Sequence, residues 1–120
     1  MVNITIQGDR VHFDVEGWDK VWALKSHLDI PLAHITGVRY DPEAARGWWH
    51  GLRLPGTDIP GLITAGSFYQ KDGMVFYDVH HPDSTIVIDL DHEHYQKLII
   101  EVEHPDMAVS LLRSALDRQR

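Results

Sequence analysis

The stretch from Pro105 to Leu116 constrains the fold more than any other part of the chain. Ala108, Leu111, Leu112, Ala115 and Leu116 recur at the spacing of one helical face, and Met107 and Val109 widen the apolar stripe. Pro105 suits a first helical turn, and Asp106 sets negative charge at the positive end of the helix dipole. Nearly everything before this segment reads as strands and loops. A single amphipathic helix must bury its stripe against something, and here that is a sheet. The expected class is therefore mainly β with a C-terminal α-helix (α+β), the helix closing an otherwise open sheet structure.

The strand signals come in short alternating runs. Ile4 and Ile6 alternate with polar neighbours, Gly8-Asp9 makes a turn, and Val11, Phe13 and Val15 alternate again, which describes a hairpin with one buried face. Trp18 to Leu28 has the apolar spacing of a short helix, with Asp19 early and Lys25 late. His27 to Ile30 is a short segment ending at Pro31, and Ile35 to Tyr40 reads as a strand broken by Asp41-Pro42. Glu43 to Arg46 has room for one helical turn. From Glu43 to Gly61 no period persists, and Gly47, Gly51, Pro55, Gly56, Pro60 and Gly61 mark a long loop, a kind of segment that often carries function.

Four more strands are expected: Leu62 to Tyr69, Met74 to Val79, Thr85 to Leu90 and Leu98 to Val102. Lys71-Asp72-Gly73 and His81-Pro82-Asp83-Ser84 supply turns, and Asp91 caps a helical turn in the connection to Gln96. Leu62, Ile63, Phe68, Phe76, Ile86, Ile88, Leu98 and Ile100 are the expected core of these strands. Ile99 and Val102 are expected on the opposite face, where apolar groups would mark a partner surface.

At 120 residues without repeats or linkers, the chain is expected to form one domain, 1–120. It has no cysteine, so disulfides, thiolate metal sites and cysteine nucleophiles are excluded. The N-terminal residues lack a basic region followed by an apolar run, and no apolar run approaches the ~20 residues of a membrane span. The expected location is the cytoplasm. Eleven basic residues against eighteen acidic ones give a formal charge of -7, which argues against nucleic acid and against anionic lipid. Nine histidines could remove much of that charge as pH falls through their ordinary range.

The order of these signals resembles a known family. Ile30-Pro31-Leu32-Ala33-His34-Ile35-Thr36-Gly37-Val38 matches an Ile-Pro-Leu-x-x-Ile-x-x-Val phrase that precedes a strand in bacterial pleckstrin-homology-like domain proteins. Gly66-Ser67-Phe68 is similar to the step that opens their second half. Ile99 to Pro105, followed by Val109 to Leu112, is similar to their final strand, hinge and helix. The resemblance implies a pleckstrin-homology-like barrel of six or seven antiparallel strands in sequential hairpins, capped by one amphipathic helix. It also implies a non-enzymatic interaction module that often self-associates. Phosphoinositide-binding members carry a basic first-hairpin loop. Here that loop is Gln7-Gly8-Asp9-Arg10, which departs from the pattern and argues against membrane lipid.

The residues ranked first for binding lie in the long loop: Arg46, Trp48, Trp49, His50 and Arg53. Two adjacent tryptophans with flanking arginines have the composition of interaction hot spots. The structural alternative folds a tryptophan onto the barrel mouth and pairs the arginines locally. His80 and His81, and His92 and His94, stand near carboxylates and are weak metal candidates, with no third ligand fixed by spacing. Solvated turn histidines are the competing explanation. Asp89 with Asp91, and Glu101 with Glu103, read as carboxylates on a solvated sheet face rather than as an acid–base pair. No G-x-S-x-G elbow or complete P-loop is present. The sequence thus points to a non-enzymatic protein-interaction or scaffold module without a cofactor, bound to a protein partner or to itself. The alternative is a ligand-binding or metal-dependent enzyme on the same scaffold.

Overall fold

In a computed structural model, the structure describes residues 1–15, 27–46, 65–70, 73–79 and 81–119. The expected helix between Trp18 and Lys25, most of the long loop, and Leu62 and Ile63 lie outside them. The first sheet contains β1 (Val2–Gln7), β2 (Arg10–Val15) and β3 (His27–Pro31), in that order. Val11, Phe13 and Val15 alternate inward as the hairpin pattern requires. Gly8 takes φ +61° in the two-residue turn, a backbone conformation that most side chains resist.

Leu32–His34 forms a short 3₁₀ turn that delivers the chain to the second sheet. That sheet contains β4 (Ile35–Tyr40), β5 (Ala65–Gln70), β6 (Gly73–Asp78), β7 (Thr85–Leu90) and β8 (Tyr95–Glu101) in the order β4-β7-β8-β6-β5. Helix α1 (Pro42–Arg46) follows β4, and α2 (Pro105–Arg118) ends the fold. The fifth strand is described from Ala65, and the expected start at Leu62 lies outside the described residues. Three readings differ from expectation: the last strand begins at Tyr95 instead of Leu98, residues 91–94 bend without forming a helical turn, and α2 runs to Arg118.

The strand order departs from a succession of hairpins. β8 lies between β7 and β6, antiparallel to the first and parallel to the second. Burial accounts for this. Leu98, Ile99 and Ile100 are successive apolar residues, and they and Glu101 are all buried, so neither face of this part of the strand is turned to water. A central place covers both of its faces and pairs both of its edges. Among the described residues the two sheets pair separately and do not close into a barrel.

The main core fills the space between the sheets. Phe13, Leu28 and Ile30 meet Phe76, Ile86, Ile88, Leu98 and Ile100, and α2 adds Val109, Leu112 and Ala115. The expected core positions Phe76, Ile86, Ile88, Leu98 and Ile100 are all there. Val102, expected on the opposite face, is instead part of this core, because two-residue alternation puts positions 98, 100 and 102 on one face. Ile99 does face the other way, where Val75, Tyr77, Val79 and Val87 form a second buried cluster with Ala44 of α1. Burial, reinforced by the Asp78 carboxylate, pushes the Tyr77 phenol up to about 12.

Helix α2 rests mainly on β4. Arg113 donates from Nε and Nη2 to the Val38 carbonyl at 3.1 and 2.8 Å, so the helix also satisfies a backbone acceptor of a strand at the sheet's edge. Removing the packing should cost more than removing the hydrogen bonds. Leu112→Ala is expected to lower stability by ~2–5 kcal/mol, and Arg113→Ala by ~1 kcal/mol, both read from urea unfolding. The phenol of Tyr77 titrates higher in the folded chain than when unfolded. Its contribution to stability is therefore complete below the unfolded value and is lost as pH rises from about 10 to about 12. Urea midpoints measured from pH 9 to 11 should fall for the native chain, and Tyr77→Phe should remove that part of the fall.

Candidate functional site

The helix that closes the core covers only part of what it faces. Val109, Leu112 and Ala115 point inward, while Met107 is 69% exposed and Leu111 47% exposed. These two belong to the same apolar stripe, and nothing in the spacing separates them from the buried members. Between α2 and β1 lies a groove of about 770 Å³, lined by Val2, Ile4, Val102, Met107, Ala108 and Leu111 among others. Among the described residues β1 is an edge strand of its sheet, and it carries no charged residue, proline or bulge of the kind that discourages strand addition.

Charge is distributed unevenly along this groove. Glu103, His104 and Asp106 stand where α2 begins, and Arg118 where it ends. The lining between them is mainly apolar, with Asn3, Ser110 and Ser114 as its polar members. An apolar strip with acidic and basic ends can bind another surface by shape and register it by charge.

The sequence-predicted binding residues fall elsewhere. Arg46 ends α1, and Trp48, Trp49, His50 and Arg53 lie outside the described residues, as does His80. His81 contacts Glu101, its Nδ1 2.8 Å from Oε2 and its backbone N–H donating to Oε1 at 3.4 Å. Glu101 is buried, which corrects its reading as part of a solvated face: Ile99 and Glu101 share the covered side of β8. Asp89 is half-buried and pairs with Arg39 at 2.8 Å, whereas Asp91 is exposed. His92 has φ +61° and lies against His34, ring centroids 6.1 Å apart, while His94 packs on the edge of Tyr95. His34 in turn bonds Glu93. The structure therefore spreads His81, His92 and His94 over separate pairings.

Among the described residues, one group brings three metal-ligating side chains together: His12, His27 and Asp29, on β2 and β3. The sequence holds its signal in two His-x-Asp triplets, His12-Phe13-Asp14 and His27-Leu28-Asp29. The apolar alternation of these strands is carried by Phe13 and Leu28, and periodicity says nothing of the polar residues that flank them. Comparison of the chain with protein-family models, with curated proteins and with solved structures finds no match.

Proposed function

We propose that this chain is a non-enzymatic interaction module that pairs with a second copy of itself through the groove between β1 and α2. The observation that carries the proposal is the pair of uncovered residues Met107 and Leu111, standing beside an apolar groove and an uncharged edge strand. Water is a poor neighbour for so much contiguous apolar surface. Charge selects the occupant. Leu111 lies near the middle of α2, so a two-fold axis passing beside it runs the two helices antiparallel. Glu103 and Asp106 of one copy then face Arg118 of the other, at both ends of the contact. The helix dipoles oppose one another in the same arrangement.

This role agrees with the resemblance of the sequence to bacterial pleckstrin-homology-like domains, a kinship that belongs to the same proposal. Strands closed by a C-terminal helix support that kinship, while the parallel β6–β8 ladder and the separate sheets depart from a simple barrel. We carry over the interaction role and no ligand. The first hairpin turn, Gly8-Asp9, offers no basic cluster for a lipid headgroup. No helix among the described residues is long and apolar enough to cross a membrane.

Analytical ultracentrifugation from micromolar to high-micromolar concentration tests the proposal. The native chain is expected to sediment as a dimer at the upper end. The double variant Met107→Glu, Leu111→Glu should remain folded by circular dichroism and weaken dimerisation more than tenfold. Arg118→Glu should also weaken it, and adding Glu103→Arg should recover part of the loss. A monomer throughout, or a dimer indifferent to Leu111, would contradict the proposal.

A further inference from the structure

The outer face of the three-stranded sheet holds a block of four side chains that the interaction role does not use. β2 and β3 run antiparallel with His12 opposite Asp29 and Asp14 opposite His27. Each strand contributes one His-x-Asp triplet, whose middle residue, Phe13 or Leu28, points into the core. Antiparallel pairing reverses one triplet against the other, so each histidine sits across from an aspartate and the two histidines lie on a diagonal. That diagonal is the close one, with ring centroids 5.4 Å apart.

We infer that His12, His27 and Asp29 form a binding site for a divalent transition-metal ion. One ligand atom from each lies within 4.8 Å of the others. Bonds of about 2.0–2.1 Å to a shared ion require a separation of about 4 Å or less, which rotation of the two rings can reach. Two imidazoles and a carboxylate suit zinc, nickel, cobalt or copper better than magnesium or calcium, which prefer all-oxygen sets. Three protein ligands leave coordination positions open to water.

The surroundings hold the ligands in place. Asp14 Oδ1 lies 2.9 Å from His27 Nδ1. A proton on that nitrogen donates to Asp14 and leaves Nε2 with its lone pair for a metal, an orientation common among metal-bound histidines. Arg10 donates from Nε to Asp29 Oδ1 at 2.9 Å, which fixes that carboxylate beside His12 and competes with the ion for part of its charge. His12 Nδ1 is 3.7 Å from the same Asp29 oxygen. A hollow of about 250 Å³ lined by Thr5, Gln7, His12, Asp14 and His27 opens on this face and gives an ion and its waters access. The chain's net negative charge favours cation approach.

Seven other histidines in the chain could bind metal adventitiously, so the test must separate locations. The tag-free chain, stripped with chelator, is titrated with zinc chloride and with nickel chloride by calorimetry, and cobalt(II) absorption is recorded in parallel. One ion per chain is expected, with a rise in melting temperature and visible cobalt bands of a nitrogen–oxygen site. His27→Gln, at a half-exposed position, should weaken binding at least tenfold and leave the metal-free melting temperature close to native. Asp29→Asn provides a second route should His27→Gln disturb the strand. A triple variant, His92→Gln, His94→Gln, His104→Gln, should bind as the native chain does. Unchanged binding in both His27→Gln and Asp29→Asn, loss of binding in the triple variant, or no measurable heat at millimolar metal would each overturn the inference.

Discussion

The burial of β8 on both faces holds the rest of the structure in place. Leu98 and Ile100 enter the core shared with the three-stranded sheet, and Ile99 enters the cluster behind. A strand that buries apolar residues on both sides cannot face water without large cost. Its central position displaces β6 from β7, sets β6 and β8 parallel, and turns the five-stranded sheet into a middle layer. The three-stranded sheet lies on one side of it, and α1 packs behind the other cluster through Ala44. Helix α2 follows directly from β8 through Val102, so the strand's location also decides where the helix lands.

That landing explains how one apolar stripe serves two purposes. Val109, Leu112 and Ala115 are spent on the core, and Arg113 ties the helix to the β4 backbone. The helix is thereby held towards β4, and its other flank, with Met107 and Leu111, stands open beside β1. The His12–Asp29 block lies on the opposite side of the three-stranded sheet from the core. The proposed dimer contact and the proposed metal site therefore use different surfaces, and either can fail without affecting the other.

Much of the secondary structure was legible in the chain. Val11-Phe13-Val15, Thr85 to Leu90 and Pro105 to Leu116 each carry a period that names their element. Strand order was not legible, because periodicity describes what a segment buries and not which neighbour buries it. The run Leu98-Ile99-Ile100 was the available clue, since unbroken apolar residues in a strand indicate a central place. Exposure within the helix stripe was equally hidden: Leu111 and Leu112 are adjacent and chemically identical, and only the packed sheets tell them apart. The His-x-Asp block could have been found by pairing the first hairpin with His27-Leu28-Asp29. That step required treating the short segment before Pro31 as the third strand of the same sheet.

The position of β8 is measured most directly by cross-strand nuclear Overhauser effects. In a uniformly labelled sample, backbone contacts are expected between Phe76 and the residues around Leu98, in the pattern of parallel strands, and between Ile88 and Leu98 in the antiparallel pattern. Backbone contacts joining β6 directly to β7, with β8 showing a partner on one side only, would contradict it.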